Sequence, residues 1–185
     1  MVFTIPFLFV AYAVSGTEIV ESEADEAAAL ALVDQGFAAY QRDNFQLAAE
    51  LYDQSMQIKV THQAAANLCN LYLHGQGVER DYEVALSYCR LAELSNNLNA
   101  LVMLGEIYLF GLGVPSDRNR AIQYYSLASV NNHAHAQFVL ASLLIESNPI
   151  EGKYWLNQAA SQGHKEAASV LRKLVSESGS TEKDE

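Results

Sequence analysis

One segment of the sequence recurs after 36 residues. The segment from Leu68 to Ala92 matches the segment from Leu104 to Ala128 at eleven of twenty-five positions, among them two glycines, an aspartate and two tyrosines in each copy. A repeat of this length is one supersecondary unit that cannot bury its apolar face alone, so copies must stack on one another. The repeat therefore restricts the fold to a stacked array of units.

Each unit has the pattern of two helices joined by a turn. Apolar and small residues between Leu104 and Tyr108 recur at helical spacing and predict a first helix. Gly111 follows it, and glycine tolerates the left-handed backbone that ends a helix. Asp117 suits the N-cap of a second helix, where its carboxylate can accept hydrogen bonds from free backbone amides. The sequence thus predicts an all-α fold of antiparallel helix pairs.

Less regular copies extend the array in both directions. Downstream, Asn148 and Pro149 replace the glycine loop with an N-cap and a proline at the first helical position. Upstream, the apolar residues have a shorter spacing. We expect helix pairs at 27–60, 61–98, 99–134 and, shortened, 135–165, followed by a capping helix at 166–175, because a solenoid must cover its last apolar face.

The repeated motif resembles the Sel-one-like repeat (SLR) family, a longer-looped relative of tetratricopeptide repeats. The resemblance rests on Leu104-Gly-x-x-Tyr-x-x-Gly-x-Gly-Val-x-x-Asp117 and on Trp155-x-x-x-Ala-Ala-x-x-Gly163, and it covers roughly residues 27 to 174. Cys69 departs from it, since a small glycine is expected there. The resemblance implies a right-handed superhelical solenoid, with 27–60 tetratricopeptide-like, that acts as an adaptor or scaffold for another protein.

The charge of the chain is strongly acidic, with 22 acidic and 11 basic residues and a net charge of −11. An acidic chain without a basic cluster repels phosphate backbones, so we expect no nucleic acid as a partner. Much of the acidity lies near the two ends. We expect an acidic linker at 17–26 and a disordered acidic tail at 176–185, because such segments cannot repay the entropy cost of ordering.

The first sixteen residues are apolar and uncharged, and small residues at Ala13 and Ser15 suit a signal peptidase. We expect residues 1–16 to be a signal peptide and the chain to be periplasmic or secreted. This run is too short for a stable transmembrane segment, which needs about 20 apolar residues. The alternative is a cytoplasmic adaptor with a structural N-terminal helix, because no Lys or Arg precedes Arg42.

The two cysteines, Cys69 and Cys89, lie on the two helices of one unit. Their positions correspond to Gly105 and Tyr125 of the next unit and should face one another. A disulfide is expected if the chain is exported, and two buried free thiols if it is not. They lack C-x-x-C spacing, which argues against a zinc or redox motif.

Catalytic and ligand-binding motifs are weak. The chain has neither a phosphate-binding glycine loop nor an H-E-x-x-H motif. His133 and His135 are two residues apart and do not face one site on a helix. We expect no metal, no cofactor, no small-molecule substrate and no catalytic residue. Ser180 and Lys183 match an S-x-x-K nucleophile pattern, so a penicillin-binding or hydrolytic enzyme on the same solenoid remains the alternative.

A partner site is expected on the first helices, which line the concave surface of tetratricopeptide-like stacks. Counting forward from Gly36, Cys69, Gly105 and Ala141 gives the residues expected to face this groove. The predicted site comprises Phe37, Tyr40, Asn70, Leu73, His74, Glu106, Leu109, Phe110, Phe138, Ser142 and Ile145. An apolar groove with Asn70 in its middle suits an extended or helical peptide. The partner's identity stays open.

Overall fold

The computed structural model describes residues 23–181 of the chain, with side chains described as far as residue 174. Within that range the secondary structure consists of helices without strands. The helices are α1 (Glu23–Tyr40), α2 (Phe45–Ile58), α3 (His62–His74), α4 (Tyr82–Glu93), α5 (Leu98–Phe110), α6 (Arg118–Val130), α7 (Ala134–Leu144), α8 (Pro149–Ser161) and α9 (Lys165–Thr181). None of these helices is both long and apolar enough to cross a bilayer.

The helices pack as four successive pairs. Helix α1 packs on α2, α3 on α4, α5 on α6 and α7 on α8, and each second helix also contacts the first helix of the next pair. Helix α3 lies directly against α5, so first helices form one layer of the array. Helix α9 packs on α8 and closes the stack. The predicted all-α helical solenoid is confirmed.

Turn residues fix where the helices of each pair begin and end. Gly75 and Gly111 adopt left-handed backbone, with φ of 67° and 68°, after α3 and α5. Asp117 caps α6 by accepting a hydrogen bond of 3.0 Å from the backbone amide of Arg120. At the start of α7 the cap is His133, whose Nδ1 accepts from the amide of Ala136 at 3.2 Å. Asn97 holds the same cap position 36 residues earlier, at the start of α5.

Small residues let the two helices of a pair approach closely, and a tyrosine fills the space. A Cβ atom added at Gly36 would lie 2.6 Å from Cε1 of Tyr52, and one added at Gly105 would lie 2.9 Å from Cε2 of Tyr125. Both rings are buried. Cores close-packed in this way leave no room for an added methyl group without movement.

The outer boundaries differ from those expected. Helix α1 begins at Glu23, inside the predicted linker at 17–26. Helix α9 continues to Thr181, so residues 176–181 are helical rather than disordered, and the capping helix is longer than the predicted 166–175. Short acidic and serine-containing segments can continue a helix that is already nucleated, since propagation costs far less than nucleation. The predicted signal peptide and residues 182–185 lie outside the described residues.

Candidate functional site

A groove of about 420 Å³ runs along the first-helix layer. Its walls come entirely from α1, α3, α5 and α7 and from the residues that cap α5 and α7. The lining residues are Phe37, Tyr40, Gln63, Ala66, Asn67, Asn70, His74, Asn97, Asn99, Val102, Met103, Glu106, His133 and His135. The second helices contribute none of them, so this groove belongs to a single layer of the solenoid.

Three of the lining side chains form a row with the period of the repeat. Gln63, Asn99 and His135 are each the second residue of their helix, on α3, α5 and α7, and are 36 residues apart. We call these three residues the polar row. All three are exposed, so their amide and imidazole groups are available to a partner. His133 Nε2 lies 3.4 Å from Asn99 Oδ1, which links two first helices inside the groove.

The other end of the groove combines an aromatic side chain with an oriented amide. Phe37 is 49% exposed. Asn70 Nδ2 donates to Tyr40 Oη at 3.2 Å and to Gln76 Oε1 at 3.5 Å. These bonds hold the Asn70 amide in place, and its oxygen accepts no hydrogen bond from the described residues. The side-chain oxygen can therefore accept a hydrogen bond from a ligand amide.

The floor of the groove is mostly apolar, with one unsatisfied polar atom. Ala66 and Met103 are buried there, and Val102 is half-buried. Asn67 Nδ2 is shielded from solvent and finds no acceptor within the described part of the chain. Leaving a buried amide unpaired costs free energy. A ligand that supplies an acceptor here would form a hydrogen bond with Asn67 and remove that cost.

The charge of the groove is set by Glu106. Burial lowers the pKa of His133 below its ordinary value, and the neighbouring His135 adds to the effect. Partial desolvation also lowers the pKa of His135, whose ring is still exposed at one side, with His164 acting in the same direction and Glu106 and Glu166 opposing. Both imidazoles are therefore neutral at pH 7. Glu106 is the one carboxylate among the lining residues, so the groove is weakly acidic.

The structure brings five of the eleven predicted groove residues together. Phe37, Tyr40, Asn70, His74 and Glu106 all line the groove. Leu73 is a correction, because it is only 3% exposed and packs in the core with residues of the next pair. Leu73 therefore belongs to the packed core and is not available to a ligand in the groove.

The other five predicted residues lie outside the groove lining. Leu109 packs against the central core, and Ile145 packs against the core beneath α8. The Phe138 ring stacks on His164 with centroids 4.6 Å apart, and the Ser142 hydroxyl donates to the Phe138 carbonyl at 2.9 Å. Phe110 is 65% exposed at the end of α5 and is not among the residues that line the groove.

The residues that the sequence prediction missed lie in the N-terminal halves of the first helices and at their caps. The prediction counted forward from a small residue in the middle of each first helix, such as Gly105, and so left out the N-terminal half. The missed residues there are Gln63, Asn67, Asn99, Val102 and Met103. The cap residues were missed for the same reason. The polar row carries a signal that could have been found, because its three members follow the 36-residue period of the repeat.

The two cysteines lie beside the groove, inside the second helix pair. Cys69 and Cys89 are both fully buried, their Cα atoms are 5.2 Å apart, and the structure joins them as a disulfide between α3 and α4. The bridge replaces the contact that glycine and tyrosine make in the neighbouring pairs. Its formation in the native protein stays a prediction.

Metal-binding side chains do not gather at any described position. Within residues 23–181, no three His, Cys, Asp or Glu side chains are placed to hold a metal ion. Ser180 lies on α9, and Lys183 of the S-x-x-K pattern lies outside the described residues.

Comparison with known proteins agrees with the geometry. The Sel1 repeat family model matches residues 62–97, 98–133 and 134–164. These segments correspond to the helix pairs α3–α4, α5–α6 and α7–α8. Sel1 repeat proteins are generally non-catalytic scaffolds for protein–protein interaction. No curated protein sequence matches the chain closely enough to be counted as a relative.

Two solved structures are similar to the described fold. One is c5321, a protective antigen present in uropathogenic Escherichia coli strains and displaying an SLR fold, with a TM-score of 0.69, 23% identity and coverage of 82% of this chain and 34% of that one. The other is a Sel1 repeat protein from Oxalobacter formigenes, with a TM-score of 0.66, 25% identity and coverage of 78% and 62%. This chain thus spans less than two thirds of either structure's length. On the family match, which covers more than half of its residues, the chain belongs to the Sel1 repeat family.

Proposed function

We propose that this chain is a non-enzymatic scaffold that binds an extended peptide segment of another protein in the groove of the first helices. The observation that carries the proposal is the polar row of Gln63, Asn99 and His135, exposed at one register on the first helices of three successive pairs. A peptide backbone presents donors and acceptors at regular intervals, and side-chain amides can pair with both.

The groove combines this row with apolar contacts that would anchor side chains. Phe37 offers an exposed ring at one end, and Val102 and Met103 offer an apolar floor in the middle. Aromatic and apolar anchors usually supply most of the affinity of such interfaces, while surrounding polar groups fix register. The arrangement suits a segment that alternates apolar side chains with accessible backbone.

The charge of the groove favours a neutral or basic segment. Glu106 is the charged group at its centre, and the whole chain carries a net charge of −11. Electrostatic attraction of this kind raises the association rate and rejects acidic competitors. We therefore expect a Lys or Arg of the partner near Glu106.

We also propose that the scaffold acts after export to the periplasm or the exterior. The apolar, uncharged run at 1–16 ends in small residues suited to a signal peptidase. The buried pair Cys69 and Cys89 is placed for a disulfide, and disulfides persist in oxidising compartments.

Photo-crosslinking in the source cells tests the groove as the binding surface. A photoreactive phenylalanine analogue replaces Phe37 in one variant and Ile150 in a control. Ile150 is 85% exposed and lies on α8, a second helix outside the groove. Crosslinked peptides are then identified by mass spectrometry.

The proposal predicts one partner segment crosslinked from position 37 and absent from position 150. Adding Glu106→Lys to the Phe37 variant should reduce the yield if the segment is basic. Crosslinks from position 150 alone, or equal yields of the same segment from both positions, would place the partner on another face.

A further inference from the structure

A second recess of about 410 Å³ lies on the opposite layer, between the second helices α4 and α6. Arg90 and Glu93 line it from α4, Arg120 and Tyr124 from α6, and Tyr108 from α5. None of its residues lines the peptide groove. The recess is thus a separate surface that the proposed function does not use.

Two guanidinium groups converge on one phenol oxygen in this recess. Arg90 Nη2 donates to Tyr108 Oη at 3.1 Å, and Arg120 Nη1 donates to the same oxygen at 3.4 Å. The Arg120 guanidinium also lies over the Tyr108 ring, 5.2 Å from its centroid. Two like charges held this close repel each other, and the cost falls when an anion lies between them.

The carboxylates nearby neutralise the two arginines incompletely. Arg120 Nε pairs with Asp117 Oδ2 at 3.3 Å. Glu93 also lines the recess and its charge attracts Arg90, but Arg90 takes part in no ion pair within the described part of the chain. Since each guanidinium has five N–H donors, most of these donors remain available to a ligand.

The preceding helix pair shows that the arginines are not needed for packing. Tyr72 and Tyr88 stack there with centroids 5.8 Å apart, much as Tyr108 and Tyr124 stack at 5.6 Å. The position equivalent to Arg120 is Val84, 36 residues earlier. The same tyrosine pair therefore forms without any guanidinium group beside it.

The hydroxyl of Tyr108 adds a third donor. It accepts bonds from both arginines and still has its own proton to give. Hydrogen bonding from Arg90 holds the pKa of Tyr108 below its ordinary value, with Arg120 contributing in the same direction. A more acidic phenol is a stronger donor to an anion.

We propose that Arg90, Arg120 and Tyr108 form an oxyanion-binding site on the second-helix face, for a carboxylate or phosphate group. Arginine forks match both groups with paired, charge-assisted hydrogen bonds. In a chain with 22 acidic residues, two convergent arginines provide a local attraction for an anion. The site would accept an acidic or phosphorylated group independently of the peptide groove.

The test uses sodium phosphate and sodium acetate as probes at constant ionic strength, with chloride as the balancing salt. Side-chain Nε–Hε signals of the arginines are followed by NMR in the full chain during each titration. Arg80 is the internal reference, because its guanidinium lies over the Tyr82 ring at 5.4 Å and does not line the recess. Arg90→Gln and Arg120→Gln are compared by the same titrations after circular dichroism has checked their folding.

We expect the Arg90 and Arg120 signals to shift and saturate together while Arg80 responds weakly and linearly. Each glutamine variant should bind the probe roughly tenfold more weakly, since it loses a charge-assisted hydrogen bond. Tighter binding of phosphate identifies a phosphorylated group as the natural ligand, and tighter binding of acetate identifies a carboxylate. The proposal is overturned if the Arg90 and Arg120 signals shift no more than the Arg80 signal with either probe. This comparison is made in the wild-type protein, so it does not depend on the folding of any variant.

Discussion

Gly105 and Tyr125 form a close contact between the two helices of the third pair, where a Cβ atom on the glycine would lie 2.9 Å from the tyrosine ring. The same relationship joins Gly36 and Tyr52 in the first pair. In the second pair, Cys69 and Cys89 occupy the two equivalent positions and are joined covalently. Across these three pairs, equivalent positions are therefore filled in two ways, by a close glycine–tyrosine contact or by a disulfide bridge.

The first prediction follows from that contact. Gly105→Leu should destabilise the protein by about 1–3 kcal/mol, because a side chain added to a packed interface forces rotamers and backbone to shift. Urea unfolding followed by circular dichroism measures the effect. The double variant Gly105→Leu/Tyr125→Ala makes room for the leucine and should recover part of the loss. No loss in the single variant would mean that this interface is loosely packed.

A second prediction concerns the bridge. The disulfide closes a loop with a sequence separation of 20, so Cys69→Ala/Cys89→Ala should lower the free energy of unfolding by about 3 kcal/mol. Peptide mapping without reduction should find the two cysteines in one crosslinked fragment.

The matched variant for the bridge is Cys69→Gly/Cys89→Tyr, which installs the pair found in the neighbouring repeats. We expect it to be more stable than the double alanine variant, because the tyrosine refills the space between α3 and α4. Equal stability of the two variants would argue against the equivalence of these positions, and alkylation of both cysteines in native protein would argue against the bridge.

Much of the fold could be predicted because its determinants are local. The 36-residue period sets the length of one helix pair. Within that pair, Gly111 ends the first helix and Asp117 caps the second, and neither depends on the neighbouring pairs. The groove was predicted less well. Asn70 and Glu106 follow from helical periodicity, but Leu73 is buried in a core that includes residues of the next pair, and that core depends on how pairs stack. The recess at Arg90 and Arg120 requires two helices that are distant in sequence, so no local pattern reveals it.

A third prediction is a pH dependence of stability from the groove histidines. Burial lowers the pKa of His133 and of His135 in the folded protein, whereas histidine in an unfolded chain titrates near about 6.5. The unfolded state therefore binds more protons below that pH, and stability should fall as pH drops through this range. The charged neighbours of His135, Glu106 and Glu166, moderate the effect, and His164 reinforces it.

Urea unfolding at about pH 7.5 and about pH 5 measures this dependence. The control is His133→Asn/His135→Asn, since asparagine is a good N-cap and Asn97 and Asn99 hold the equivalent positions on α5. The variant should lose less stability on acidification than the wild type. An identical loss in both would assign the pH dependence to other groups.

The fourth prediction concerns the N-terminal segment. If residues 1–16 direct export, the native protein should begin close to residue 14, 16 or 17, after cleavage at Ala13, Ser15 or Gly16. Intact-mass measurement and N-terminal sequencing of protein purified from the source cells decide this. A soluble cytoplasmic form that retains Met1 would contradict the proposed export and leave the groove proposal untouched.

The central claim is that the first-helix groove binds the partner, and two phenylalanines offer its most direct test. Phe37 lines the groove and is 49% exposed, whereas Phe110 is 65% exposed on the same layer but outside the groove. Isothermal titration calorimetry with the crosslinked partner segment, made as a synthetic peptide, compares Phe37→Ala with Phe110→Ala after circular dichroism has confirmed folding. We predict a loss of about 2 kcal/mol in binding free energy, roughly thirtyfold in Kd, for Phe37→Ala and wild-type affinity for Phe110→Ala. Wild-type affinity for Phe37→Ala, together with weakened binding for Phe110→Ala, would contradict the claim.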